Sequence, residues 1–170
     1  MAAEQITLGL AEPADARALA QMARDYVETG LGWSYQPRRI AELIRDADVT
    51  ALVARDGPRI AGFAIMSFGD ERAHLVLLAV HPSRRRRGIA RQMLRWLADS
   101  ATTAGMASIH VELRADNAAA YAMYEAAGFA ETFRVPRYYR GRETAVRMLR
   151  VLRAPGVTAP GWQPPPPRRA

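Results

Sequence analysis

The sequence predicts a mixed α/β (α+β) fold in which helices pack on the faces of one sheet. Short apolar segments with strand periodicity alternate with longer segments whose apolar residues recur at helical spacing. Their order is one strand, two helices, three strands, a helix, a strand, a helix and two strands. The length of 170 residues is typical of a single domain with its own hydrophobic core.

The first part of the chain predicts a strand followed by two helices. Residues 6–10 form the strand, and Pro13 opens a helical pattern that continues to Gly30. Residues 31–36 are expected to form a loop, and a second helix begins at Pro37.

The middle of the chain predicts a three-stranded meander. Residues 50–55 and 59–68 read as two strands joined by a hairpin turn at 56–58. Residues 72–80 form a third, more apolar strand. Three consecutive strands with short connections are expected to pair antiparallel.

The second half of the chain predicts two helices and three strands. The helices cover residues 88–104 and 117–127, and each is followed by a glycine that can end it. The strands cover residues 108–113, 129–135 and 144–152.

The last segment of the chain differs in composition from the rest. Residues 154–170 contain four consecutive prolines and few residues that could be buried. We therefore expect a domain over residues 1–153 and a proline-rich disordered tail over 154–170. A proline-rich ligand for a partner domain is an alternative interpretation of this tail.

Composition excludes several classes of protein. The chain has no cysteine, which excludes disulfides and thiolate ligands, and its three histidines do not favour a metal site. It shows no apolar run long enough for a bilayer and no signal peptide, so we expect a cytoplasmic protein without membrane attachment. The net charge of +7 favours an anionic partner: nucleic acid, a membrane surface or a phosphorylated small molecule.

A basic loop before the helix of residues 88–104 has the features of a phosphate site. A strand ends at Val80, Pro82 turns the chain, and the helix begins near Gly88. The free N–H groups at a helix N-terminus bind anions, and the small residues Gly88 and Ala90 let a pyrophosphate approach the backbone. A solvated basic patch or an RNA-binding surface is the alternative, but no aromatic residues interrupt the arginines as single-stranded nucleic acid would require.

Two motifs resemble those of the GCN5-related N-acetyltransferase (GNAT) superfamily. Arg85, Gly88 and Ala90 occupy the positions of motif A, which is Gln or Arg, two residues, Gly, any residue, then Gly or Ala. Residues 117–129 resemble motif B in their Asn, Ala, Tyr and Gly-Phe. The resemblance implies the GNAT fold: a mixed, mostly antiparallel central sheet with helices on both faces, and splayed strands that bind acetyl-CoA.

The resemblance also implies how acetyl-CoA, as co-substrate and without a metal, is held. Its pantetheine arm is expected beside the backbone of Leu78, Ala79 and Val80, and Asn117 is expected to contact the cofactor. The pyrophosphate is expected on the backbone amides of Arg85, Arg86, Arg87, Gly88, Ile89, Ala90 and Arg91.

The resemblance implies that Tyr124 lies near the thioester sulfur and acts as general acid. For the base, the residues leave alternatives open. Glu112 lies in a string that resembles that of the bacterial ribosomal-protein alanine N-acetyltransferases, whereas His74 aligns with the base of the histone-acetylating members. A water molecule could relay the proton in either case, and each side chain could instead have a structural role.

The acceptor is expected to be a primary amine, either a protein or peptide N-terminus or a small molecule. Trp33 and Tyr35 in the first loop, and Tyr138 and Tyr139 in a loop between the last strands, are candidates for the acceptor pocket or for simple loop packing. A non-catalytic acetyl-CoA-binding module and a nucleic-acid-binding protein are the alternative functions, the second of which we do not favour. The sequence leaves monomer and homodimer open.

Overall fold

The computed structural model describes residues 5–153 and confirms the predicted order of elements. Within these residues, seven strands form one sheet. They are β1 (Ile6–Leu10), β2 (Val49–Asp56), β3 (Arg59–Phe68), β4 (Arg72–Val80), β5 (Ser108–Arg114), β6 (Ala130–Tyr139) and β7 (Glu143–Val151). The predicted tail, residues 154–170, lies outside the described residues.

In the described part of the chain, four α-helices connect the strands. They are α1 (Ala16–Tyr26), α2 (Pro37–Arg45), α3 (Ile89–Thr103) and α4 (Ala118–Ala126). Short 3-10 turns at Pro13–Asp15 and Pro82–Arg84 precede α1 and the loop before α3. None of these described helices has the length and apolar character that a membrane-spanning helix requires.

The strand order in the sheet is β1-β2-β3-β4-β5-β7-β6. Every neighbouring pair is antiparallel except β4 and β5, which are parallel because α3 connects them as a crossover. The sheet is therefore mixed and mostly antiparallel, as the resemblance implied.

Each face of the sheet carries its own apolar core. Leu52 on the sheet, Met93 on α3 and Tyr124 on α4 belong to one cluster, whereas Leu19 on α1 and Phe63 on β3 belong to the other. Helices thus cover both faces, which shields the central strands from water on both sides.

The parallel pair β4–β5 is short because β4 contains a bulge. Leu75 pairs with Met66 of β3 and Leu77 with Ile65, which leaves Val76 as an extra residue. Pairing with β5 covers only residues 72–75 of β4. Beyond the bulge the two strands no longer pair, so the middle of the sheet opens into a cleft.

The first helix ends earlier than the sequence predicted. The α-helix stops at Tyr26 rather than at Gly30, and Gly30 adopts a left-handed φ of 77°. The N–H groups of Val27 and Glu28 both donate to the carbonyl of Ala23, after which the chain turns out of the helix. The helical spacing of apolar residues up to Val27 did not reveal this exit.

The prediction that Tyr138 and Tyr139 lie in a loop is wrong. Strand β6 extends to Tyr139, which pairs with Glu143 of β7. A register irregularity between Val135 and Tyr139 accommodates Arg137, whose φ is 56°. Pro136 therefore lies at a bulge inside the strand, and the strand does not end at residue 135 as predicted.

The core on the α1 side predicts a large stability difference between two phenylalanines. Phe63 is fully buried, whereas Phe133 is 50% exposed. We expect Phe63→Ala to lower the free energy of unfolding by about 3–5 kcal/mol, because it removes buried apolar surface and leaves a cavity. The matched change Phe133→Ala is expected to cost about 1 kcal/mol or less. Urea denaturation measures both, and equal losses would contradict the assigned packing.

Candidate functional site

The cleft beyond the β4 bulge exposes one edge of the β4 backbone. The N–H of His81 donates to the carbonyl of Ala61 on β3 at 2.8 Å. Because backbone groups alternate between the two edges of a strand, Ala79 also turns its polar groups towards β3. Leu78 and Val80 turn theirs towards the open side, where β5 no longer pairs.

The start of α3 provides the other donors of the cleft. Gly88 is the N-cap, with a left-handed φ of 74°. The first helical hydrogen bond runs from the N–H of Gln92 to the carbonyl of Gly88, which leaves the N–H groups of Ile89, Ala90 and Arg91 without a partner within the helix. A Cβ at Gly88 would meet no atom within 4 Å, so the approach to these amides is open.

Two of the loop arginines are held by neighbouring groups and are not mobile donors. Arg84 forms an ion pair with Asp56, at 2.6 Å between Nη2 and Oδ2. The Nε of Arg85 donates to the carbonyl of Val80 at 3.0 Å, and its guanidinium lies 5.5 Å from the ring centre of Tyr26. Neither side chain is therefore free to move towards a phosphate, and the Val80 carbonyl is already occupied.

The remaining arginines of the loop surround the start of α3. Arg86, Arg87 and Arg91 are all exposed. Arg86 adopts a φ of 61°, which is uncommon for a residue other than glycine. With Gly88, it gives the loop two left-handed positions that turn the chain tightly into the helix.

Motif B supplies a buried phenol and a helix cap. Tyr124 is only 6% exposed, and its ring packs edge-on against Phe129 at 5.4 Å between centres. Burial, with a smaller contribution from Tyr139, raises the pKa of the Tyr124 phenol well above its usual value, so it stays protonated at neutral pH. The Oδ1 of Asn117 accepts the N–H of Ala120 at 3.1 Å and caps α4.

Glu112 on β5 is surrounded by three partners. Its Oε1 lies 2.7 Å from the Nε of Arg147, the residue opposite it on β7. A hydrogen bond to this carboxylate raises the pKa of Tyr138, and burial followed by the charge of Glu112 raises the pKa of Tyr139 to about 12. Tyr139 also contributes to the raised pKa of Tyr124, so this tyrosine lies within electrostatic range of both Glu112 and Tyr124.

His74 lies in a different environment. It is exposed and sits opposite His110 where β4 and β5 still pair. The pKa of His110 is lowered by burial and by the nearby Arg72 and His74, and its Nε2 lies 2.9 Å from the Ser108 hydroxyl. The structure thus groups His74 with this histidine and not with Glu112.

The loop between α1 and α2 is organised by a buried carboxylate. Glu28 is 6% exposed and accepts the backbone N–H groups of Ser34 at 2.8 Å and Tyr35 at 3.2 Å. The indole N–H of Trp33 donates to the carbonyl of Ala20 at 3.2 Å. Of the four aromatic residues predicted for the acceptor pocket, the two in this loop therefore help to fix it, Trp33 through its side chain and Tyr35 through its backbone.

Arg114, the last residue of β5, connects this loop to the sheet. Its guanidinium donates to the carbonyl of Thr29, lies 3.4 Å from Glu143, and stands 5.8 Å from the ring centre of Tyr139. The loop between α1 and α2 and the end of the β5–β7 pair are thereby held by one side chain.

Sequence reasoning missed Glu28, Arg114 and Arg147. A glutamate just after a helix is unfavourable with the helix dipole, and this was a usable signal that Glu28 has a specific partner. The arginines gave no such signal, because their partners follow from strand register and loop packing.

Comparison with known proteins shows the family of the chain. The sequence profile of the Acetyltransferase (GNAT) family matches residues 17–129. The [ribosomal protein bS18]-alanine N-acetyltransferase of Salmonella typhimurium is 41% identical over 93 residues, which is 53% of this chain and 63% of that protein. The match thus spans less than two thirds of that relative's length.

Solved structures share the fold. The ribosomal-protein-S18-alanine N-acetyltransferase from Escherichia coli superposes with a TM-score of 0.77 at 29% identity, covering 89% of this chain and 97% of that one. Ard1 from Thermoplasma volcanium gives 0.75 at 26% identity, covering 86% and 97%. The acetyl-CoA complex of yncA from Salmonella typhimurium shows the same fold at 21% identity, with a TM-score of 0.76 and coverage of 90% and 97%. With the profile match over most of its domain, the chain belongs to the acetyltransferase (GNAT) family.

Proposed function

We propose that the chain is an N-acetyltransferase that moves the acetyl group of acetyl-CoA to a primary amine by direct attack. One observation carries the proposal: the cleft between β4 and β5 combines a free strand edge and a helix N-terminus with a buried phenol and a carboxylate. The first two suit the amide-rich, phosphorylated donor, and the last two suit proton transfer. We propose in addition that residues 1–153 form the catalytic domain and that the proline-rich tail follows it.

The backbone at the cleft fits the donor. The polar groups of Leu78 and the N–H of Val80 are available to amides of the pantetheine arm, as in an added strand. The N–H groups at the start of α3 suit a pyrophosphate, with the exposed arginines around it. Ala79 would contribute to cofactor binding through van der Waals contact alone. Asn117 would contribute through its position at the start of α4.

The chemistry assigns one proton transfer to each of two side chains. The amine nitrogen forms a bond to the acetyl carbon as the carbon–sulfur bond breaks. Glu112, directly or through a water molecule, takes the proton that the amine loses, and Tyr124 gives its proton to the departing thiolate. The protonated phenol described above is in the correct state for that step. His74 is the alternative base, although it lies outside the group around Glu112.

The acceptor is proposed to enter between the α1–α2 loop and the end of β6. Trp33 and Tyr35 belong to this loop, and Tyr138 and Tyr139 are the last two residues of β6, so all four are proposed to line the entrance. Relatives named for acetylating the alanine of a ribosomal protein support a protein N-terminus as acceptor, and a small amine is the second candidate. A ribosomal-protein substrate would place the enzyme in the cytoplasm.

Donor binding is tested at Gly88 with a control at Gly57. Both glycines have a left-handed φ and open space where a Cβ would stand. We expect Gly88→Glu to weaken CoA binding at least about tenfold, because a carboxylate beside the amides repels the pyrophosphate. Gly57→Glu has the same backbone strain in the β2–β3 turn and is expected to retain affinity. Calorimetry measures both, and equal affinities would contradict the assigned phosphate site.

The acid is tested by Tyr124→Phe with a control on the same helix. We expect kcat to fall about 10- to 100-fold while CoA affinity stays unchanged, because the phenol acts in the chemical step. Tyr121→Phe removes a hydroxyl that instead donates to Glu131 at 3.0 Å, and it is expected to leave kcat nearly unchanged. Unchanged turnover in Tyr124→Phe would remove the phenol from the mechanism.

The base is tested by comparing Glu112→Gln with His74→Gln. We expect kcat/KM to fall about 100-fold for Glu112→Gln and to stay within about twofold for His74→Gln. The reverse result would assign the base to His74.

CoA binding without acetylation of any amine would indicate a non-catalytic binding module. Binding to nucleic acid that weakens with salt and ignores CoA would contradict the proposal altogether.

A further inference from the structure

Arg147 places a positive charge beside the proposed reaction centre that the sequence did not predict. It stands on β7, opposite Glu112 in the antiparallel register, with 2.7 Å between its Nε and the carboxylate Oε1. The two side chains are 38% and 25% exposed, so water screens the pair only in part. A cation is thereby fixed next to the carboxylate that we propose as the base.

Two aromatic rings hold the guanidinium in place. It lies 4.9 Å from the ring centre of Phe133 and 5.8 Å from that of Tyr138, within the range of cation–π attraction. Glu112 also raises the pKa of Tyr138, so this tyrosine lies close to both members of the pair. These contacts oppose a rotation of Arg147 away from the site.

The neighbouring charges are matched in the same way. Arg114 lies 3.4 Å from Glu143 at the open end of β5 and β7. Each of these two carboxylates therefore has its own arginine partner, and the pairs together carry no net charge. A surface without net charge does not attract a positively charged group that the acceptor carries in addition to its reacting amine.

We propose that Arg147 is a specificity-determining residue that disfavours acceptors with a cation next to the reacting amine. The proposal rests on the proposed function, in which the amine approaches Glu112. A basic group on the following residue would then lie within about 10 Å of Arg147, a range over which exposed charges still interact. Arg147 repels that cation and already occupies the carboxylate that would otherwise bind it. The enzyme therefore selects amines with a neutral or acidic neighbour.

Two alanine peptides and two variants test this inference. The peptides carry glutamine or lysine as second residue and are otherwise identical. Arg147→Met keeps the length and the apolar contacts on the rings but removes the charge, whereas Arg147→Lys keeps the charge. The measured quantity is the ratio of kcat/KM for the glutamine peptide to that for the lysine peptide, at low ionic strength.

We expect the wild-type protein and Arg147→Lys to prefer the glutamine peptide, and Arg147→Met to shift the ratio about tenfold towards the lysine peptide. Added salt should reduce the difference in this kcat/KM ratio between the wild-type protein and Arg147→Met. An unchanged ratio in Arg147→Met would overturn the inference, even if both rates fell, because Arg147 would then have only a structural role. A lost preference in Arg147→Lys as well would also overturn it.

A binding measurement keeps this test separate from that of the proposed function. If the wild-type protein binds CoA but acetylates neither peptide, the proposed function fails for these acceptors. Titration of the lysine peptide into the CoA-bound proteins then decides the inference about Arg147. Tighter binding to Arg147→Met than to wild type supports charge selection, and equal binding contradicts it.

Discussion

The structure depends on a single constraint: β4 and β5 cannot remain paired past Leu75. Val76 is an extra residue on β4, and the bulge that it creates changes the direction of the strand while the pairing with β3 resumes at Leu77. The antiparallel partners on either side keep both strands in the sheet. The sheet therefore stays continuous through β3 and β7 although its centre is open, and every group proposed for donor binding lies around that opening.

The arginines around the cleft have mostly local, structural roles. Arg84 binds Asp56, Arg85 binds the Val80 carbonyl, and Arg114 binds the Thr29 carbonyl. A net charge of +7 suggested a diffuse attraction for anions. The contacts show that several of these charges fix loops around the cleft, because a guanidinium can satisfy several acceptors at once. The proposed affinity for phosphate then rests first on backbone amides.

Local patterns predicted the elements well, and long-range relations account for what they missed. Pro82 marked the turn because proline restricts the local backbone conformation, and Gly88 marked the helix start because glycine widens it. The bulge in β4 was not predictable, since Leu75, Val76 and Leu77 are all apolar and hide the change of phase. The ion pair of Glu112 with a residue on another strand likewise follows from register, which no local spacing encodes.

The proposed donor half and the proposed acceptor half of the cleft differ in how they tolerate sequence change. The donor half consists largely of main-chain atoms, which most substitutions leave in place as long as the bulge and the small residues at the helix start remain. The acceptor half is held by individual side chains, with Arg114 joining β5 to the loop that contains Thr29. Genetic drift at such positions alters the entrance without dismantling the donor half. In the proposed arrangement, substitutions at the entrance can therefore change acceptor preference while donor binding is kept.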